Sequence, residues 1–422
     1  MDIKSFSYLV PLTVSLMLSS CGNATTSNEA KDTSQVVKSN SSADTTQLPP
    51  VETGTANTEY KPAFAGQTRI GGVKTKTAYK VDEIATKIGS PWAVVPMPDG
   101  RLMVTDKTGF MQIFGTDGKV QKKVTGFPKV NSNGQGGLLD VAFDPDFVQN
   151  RTIYWTFSED HGKGNLMAVA KGQLSADESK VENPMVIFRA TPDLKSTLHY
   201  GSRIAFDKDG NMYVSTGERS ILEGRKQAQW LNSGLGKIYK LTKEGKPAPG
   251  NPFLNQKDAM PEIFSYGHRN PQGIALHPVT GDLWEVEFGP RGGDELNLIK
   301  AGKNYGWPTI TYGIEYSGGK IGDAIQQKEG MEQPVYYWDP VLSPSGIVFY
   351  TGDAIPEWKN NLFIGGLSSM HIARIVIDEN NKVVGEEILL ADKKERFRDV
   401  AYLDGKLYTV TDGGKMFVIA KQ

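Results

Sequence analysis

One cysteine, Cys21, occurs in 422 residues, so neither an intramolecular disulfide nor a thiolate metal cluster can hold this chain together. Net charge is nearly absent as well. The 47 Lys and Arg stand against 48 Asp and Glu, a formal charge of -1, which leaves no basic footprint for a nucleic-acid partner. Apolar spacing of the helical kind is scarce. Beyond the N-terminal stretch, no segment approaches the ~18 consecutive apolar residues of a spanning helix. A Gly-x-Gly-x-x-Gly turn entering a helix, a phosphate-binding loop with its lysine and a Gly-x-Ser-x-Gly elbow are all missing, which sets aside a nicotinamide Rossmann enzyme.

What is present is glycine, 46 residues of it, and short apolar runs punctuated by Asp-Gly, Thr-Gly and Asn-Asn turns. The N-terminus reads as an export signal: Lys4, an apolar stretch over residues 6–18, then Ser19-Ser20 before Cys21. An ordinary signal peptide or a buried strand would also be apolar, but the only cysteine falls where a lipoprotein signal needs it. Residues 1–20 are therefore expected to be a lipoprotein signal peptide. Cys21 would carry the lipid that tethers an exported, periplasmic or cell-surface protein to a membrane. Residues 21–75, rich in Ser, Thr and Asn early on, are expected to be a disordered linker, with the folded body at 76–422.

Six hairpins recur along that body. Their first strands are Trp92-Ala93-Val94-Val95, Leu139-Asp140-Val141-Ala142-Phe143, Ile204-Ala205-Phe206, Ile274-Ala275-Leu276, Ile347-Val348-Phe349 and Val400-Ala401-Tyr402. Each is followed by a polar turn and a second strand, such as Leu102-Met103-Val104 or Met212-Tyr213-Val214. Repeats spaced further apart than the roughly 40–45 residues of a compact blade predict an all-β fold, a six-bladed β-propeller with four-stranded blades and long projecting loops. A β-sandwich is the alternative. In a hairpin the start of the first strand and the end of the second share an edge, so residues at those two places should crowd one rim.

The chemically capable residues fall there. His199 precedes the third first strand, and Glu218 follows its partner, so a carboxylate is placed to orient an imidazole of ordinary pKa near ~6.5. Arg269, Arg396 and Arg398 reach the same rim from distant parts of the chain. In Arg396-Phe397-Arg398, strand alternation points both charges to one side. Such a cluster serves a multiply anionic ligand or, more plainly, inter-blade salt bridges. The stretch from Glu287-Phe288-Gly289-Pro290 to Asp294-Glu295 combines carbonyls of a Gly-Pro turn with carboxylates, a donor set for a hard cation such as calcium.

Together these segments resemble the soluble quinoprotein glucose/sorbosone dehydrogenases, in particular their aldose sugar dehydrogenase branch, over roughly residues 88–419. The resemblance is carried by Gly134-Gln135-Gly136-Gly137-Leu138-Leu139-Asp140, His199-Tyr200-Gly201-Ser202-Arg203, Gly267-His268-Arg269-Asn270-Pro271-Gln272-Gly273, Gly289-Pro290 through Glu295, Asn304-Tyr305-Gly306-Trp307-Pro308 and Arg396-Phe397-Arg398-Asp399-Val400. It implies a six-bladed propeller that binds pyrroloquinoline quinone (PQQ), a tricarboxylate, and calcium. It implies oxidation of an aldose at C1 to the lactone, with electrons passed to an acceptor the sequence does not name. His199 would be the base, with Glu218 and Arg269 beside it. Gln135, Arg269, Asn270, Tyr316, Gly366, Leu367, Ser368, Arg396 and Arg398 would hold the quinone. Gly289 and Pro290 would present one calcium, and Glu295 and Tyr305 a second. Two departures stand out: Phe288 replaces a glutamine of the glucose enzyme, and Ser368-Ser369 fill a region where that enzyme has a lysine. Both point to a broader aldose range. A calcium-dependent propeller lactonase and a non-catalytic cell-surface binding propeller are the rival readings.

Overall fold

The computed structural model describes residues 48–422, so the signal peptide and Cys21 lie outside the described residues. Six sheets, each with four antiparallel strands at its heart, follow one another along the chain. Blade 1 is Pro91–Pro96, Leu102–Asp106, Phe110–Phe114 and Val120–Val124. Blade 2 is Leu138–Phe143, Thr152–His161, Gly164–Leu174 and Val181–Arg189. Blade 3 is Ile204–Phe206, Met212–Thr216, Lys237–Leu241 and Ile263–Tyr266. Blade 4 is Pro271–Leu276, Leu283–Glu287, Asp294–Ile299 and Tyr336–Trp338. Blade 5 contains Pro344–Phe349, Leu362–Gly366, Ile372–Ile377 and Val383–Leu389. Blade 6 takes Phe397–Leu403, Lys406–Thr411 and Lys415–Lys421 from the C-terminus and Tyr79–Thr86 from the N-terminal side. All six predicted hairpins are the inner two strands of a blade.

The ring closes because the first strand of every blade touches that of the next, and the sixth touches the first. Pairing of Tyr79–Thr86 with Lys415–Lys421 joins the two ends of the body and removes an open edge. Neighbouring blades enclose apolar clusters, such as Met103, Ile113, Trp155 and Phe157 between blades 1 and 2. Second strands such as Leu102–Asp106 are buried at every position, since blades cover both faces.

The body begins earlier than expected. Leu48–Pro50 and Gly71–Gly72 add to the outer edge of blade 5, with Gly72 paired in parallel to Glu386. Between them, the Asn57 and Thr58 amides donate to the Asp339 carboxylate, and the buried Gln67 amide donates to the Pro334 carbonyl. Apolar content misled at residues 48–75 because this strap is held mainly by hydrogen bonds to side chains and carbonyls of residues far along the chain.

At the axis, the guanidinium of Arg203 lies 3.1 Å from Asp399 and 3.7 Å from Asp140, and stacks 4.1 Å above the ring of Trp92. It also donates to the Gln272 and Arg398 carbonyls. One side chain of blade 3 thus contacts blades 1, 2, 4 and 6. Blade 5 must present Gly346 here, since a Cβ would fall 1.5 Å from Asp399 Oδ1. Two buried carboxylates share one cation, and burial first, then their mutual repulsion, raises the Asp140 pKa. Replacing Arg203 by Met should therefore lower stability by about 3–5 kcal/mol, as for removal of one partner of a buried ion cluster. Urea unfolding measures this, and an unshifted midpoint would contradict the axial role.

Candidate active site

Strand register brings the predicted edge together: Pro91 opposes Asp106, Pro271 opposes Glu287, and Phe397 opposes Thr411. At that rim lies a cavity of about 390 Å³ whose wall includes Gln135, Asn270, Phe288, Leu367, Arg396 and Arg398. This volume suits a small ligand.

His199 sits between two lining residues, Gln135 and Tyr200. Its backbone takes φ of 48°, a conformation that non-glycine residues seldom adopt and that must be held by neighbours. Its amide donates to Gln135 Oε1 at 2.8 Å, and Nδ1 lies 2.7 Å from Glu218 Oε1. The close approach of blade 3's second strand needs Gly217, where a Cβ would meet the His199 carbonyl at 2.3 Å. With the Glu218 carboxylate accepting from Nδ1–H, the lone pair rests on Nε2, which has no hydrogen-bond partner among the described residues. Burial, aided by the nearby Arg269 charge and opposed by Glu218, lowers the imidazole pKa to about 4, so the ring is neutral at neutral pH.

The cations form one group with an internal clamp. Asp412 accepts from Arg396 Nε at 2.9 Å and from Arg398 Nε and Nη2 at 2.8 and 3.1 Å. Burial works to raise its pKa, but the two guanidiniums outweigh that and hold the carboxyl below its usual range. Lys107, Arg396 and Arg398 against Asp412 leave the cavity wall two positive charges in excess. Arg269 is buried at its edge. Its guanidinium donates to the Phe288 and Gly289 carbonyls at 3.0 and 2.6 Å and lies over Trp307.

Behind Arg269 is a concentration of acid. Glu285, Glu287 and His268 are buried with their ligand atoms within 4.8 Å of one another. Across the sheet, Glu287 opposes Glu295 and Glu285 opposes Asn297. Glu287 is capped by the amides of Arg269 and Asn270, and Asn297 reaches Glu285 at 3.1 Å, but Glu285 Oε1 has no hydrogen-bond partner among the described residues. Burial and then the Glu287 charge push Glu285 and Glu295 well above the usual carboxylate range. Carboxylates buried together without a cation call for a proton or a metal ion.

Residues 88–419 match the Glucose / Sorbosone dehydrogenase family. The chain belongs to this family. It is 41% identical over 338 residues to the aldose sugar dehydrogenase YliI of Escherichia coli, covering 79% of this chain and 90% of that protein. It is 26% identical to the quinoprotein glucose dehydrogenase B of Acinetobacter calcoaceticus, covering 78% and 84%. Among solved structures, the apo-form of the soluble aldose sugar dehydrogenase from E. coli superposes with a TM-score of 0.78 at 39% identity, covering 82% of this chain and all of the other. The PQQ-bound aldose sugar dehydrogenase from Streptomyces coelicolor does so at 0.66 and 29% identity, covering 82% and 99%.

Within this member of the glucose/sorbosone dehydrogenase family, most predicted site residues converge, and some do not. Gln135, Asn270, Leu367, Arg396 and Arg398 line one cavity, His199 and Arg269 each bond a residue that lines it, and Glu218 holds His199 from behind. Tyr316 does not: it is 69% exposed on its loop and outside the cavity wall. Ser368 is exposed and pairs with the Ser343 hydroxyl at 2.9 Å, and Gly366 ends a strand behind Leu367. Of the predicted metal residues, Gly289 and Glu295 line a small cleft together with Glu287, and Pro290 is buried in the adjoining turn. Tyr305 stacks on His268 with ring centroids 4.8 Å apart, while its hydroxyl donates to the Leu298 carbonyl. The Gly289 carbonyl already accepts from Arg269. Glu285, Glu287 and His268 were missed as a cluster. The period-two spacing of Glu285 and Glu287 on a strand, opposite Glu295 and Asn297, was the available signal.

The His199 ring should titrate near pH 4 by NMR, staying neutral across the range where a free imidazole gains its proton. Glu218→Gln should lower that pKa further, because the carboxylate favours the charged ring. A pKa left at or above the ordinary value in the variant would refute the pairing.

Proposed function

We propose that this chain oxidises aldose sugars at C1 to the corresponding lactones, with PQQ held in the rim cavity and calcium at the turn and acid cluster beside it. The observation that carries the reading is a neutral, buried imidazole, fixed at Nδ1 by Glu218, on a residue whose amide bonds Gln135 in the wall of a cavity with excess positive charge. The residues present fit the groups. A tricarboxylate matches the paired guanidiniums of Arg396 and Arg398, and the unpartnered oxygen of Glu285 among neighbouring carboxylates fits a divalent cation. When bound, the quinone supplies the acceptor for a hydride and calcium the Lewis acidity that polarises it.

The chain's own residues do the rest. His199 Nε2 takes the proton of the anomeric hydroxyl as the C1 hydride leaves, so the sugar gives up one proton to the imidazole and, separately, a hydride that carries both electrons. Glu218 fixes the tautomer and stabilises the imidazolium that forms. Arg396 and Arg398, held by Asp412, orient the anionic ligand, and Asn270 and Gln135 complete the wall. Phe288 and Leu367 give the cavity an apolar side, in keeping with an aldose range not restricted to glucose. On the lipoprotein pattern around Cys21, the enzyme is exported and membrane-tethered, where an external acceptor would take up the electrons.

Purified protein supplied with PQQ and calcium should reduce a redox dye in the presence of aldoses, and His199→Ala should lower that rate by about 10²–10⁴-fold. Lactone hydrolysis without quinone, and no dye reduction, would replace this reading with a lactonase. Calcium should raise the melting temperature of the quinone-free protein. That rise should shrink in Glu285→Gln; an equal rise in both proteins would remove the acid cluster from the metal assignment.

A further inference from the structure

Lys107 follows the second strand of blade 1 and lines the cavity beside Arg398 and Asp412. An ammonium has three donors. One is used, on the Gly134 carbonyl at 2.8 Å, and no carboxylate lies within ion-pair distance among the described residues. Arg396 and Arg398, by contrast, both bond Asp412. Burial lowers the Lys107 pKa and the Arg398 charge adds to this, with the more weakly acting Asp412 and Asp106 opposing. Lys107 is thus a half-buried cation held next to another cation with no close counter-ion. That arrangement costs free energy in the empty protein, and such costs recur where a ligand relieves them.

We propose that the Lys107 ammonium binds an anionic oxygen of the same ligand that Arg396 and Arg398 bind, so that blades 1 and 6 grip one polyanion from two sides. This rests on the quinone reading above and adds to it a residue that reading does not require. Lys107 contributes half of the excess positive charge of the cavity wall, since without it Arg396 and Arg398 against Asp412 leave a single charge. Its bond to Gly134 carries a second consequence. Gly134 adjoins Gln135, whose side chain accepts from the His199 amide, so a ligand seated on Lys107 also steadies the turn that holds the base.

The test is titration of the calcium-loaded protein with PQQ, read as quenching of tryptophan fluorescence, with Trp92 in the cavity wall as reporter. Melting of the quinone-free proteins is measured alongside. Lys107→Met should weaken binding at least about tenfold, the scale of a charge-assisted hydrogen bond, while Lys107→Arg stays within about threefold of the parent. The quinone-free Lys107→Met protein should melt no lower than the parent, because a like-charge contact has been removed. Equal affinity in parent and Lys107→Met overturns the proposal and leaves the functional reading intact. Weakened binding accompanied by a lower melting temperature overturns it in favour of a structural brace. A parent protein that fails to bind PQQ overturns the functional reading, and this proposal with it.

Discussion

The rim chemistry depends on a charge cluster at the axis, where Arg203 is held between Asp140 and Asp399. Arg203 stands four residues after His199, and the Ile204 amide that follows donates to Asp140. The same guanidinium reaches the carbonyls of Gln272, next to the Asn270 segment, and of Arg398. Register of the base-bearing segment, of blade 4's entry and of the arginine strand is therefore set at one point. Apolar clusters between blades tolerate sliding, so the directional ion cluster, with hydrogen bonds such as Thr105 to the Leu139 carbonyl and Ser345 to the Phe397 carbonyl, fixes rotation of one blade against another.

Above that cluster the molecule separates charge. One side of the rim carries an excess of cations. The adjoining blade buries Glu285 and Glu287 beside a half-buried Glu295, and Arg269 stands next to them. Its amide caps Glu287, while its guanidinium turns to the Phe288 and Gly289 carbonyls. Its field also helps keep His199 neutral. Neither concentration is at its most stable alone, since like charges are gathered where water is partly excluded. An anion on one side and a cation on the other would neutralise both, which is the economy expected of a cofactor site rather than of a structural core.

Much of this was legible along the chain. Six hairpins fixed the number of blades, and the shared edge of a hairpin fixed which residues crowd one rim, because strand geometry is local. His199, Glu218 and the arginines followed from that rule alone. Three things escaped it. The strap over residues 48–75 looked unstructured, since its partners Asp339 and Glu387 lie some 300 residues away. The Glu285–Glu287–His268 cluster looked like ordinary alternation until the facing strand supplied Glu295. Tyr316 sits on a loop whose direction no local pattern specifies.

Sequence by itself determined the blade count, the face that carries chemistry and the residue types gathered there, because each follows from period-two alternation and turn position within some twenty residues. Tertiary structure alone decided which charges are paired. Asp412 clamps two arginines and leaves Lys107 with no carboxylate at ion-pair distance among the described residues, and Arg203 binds the blades at their axis. Pairing depends on distances between blades, and those are set by packing and ring closure rather than by any stretch of chain.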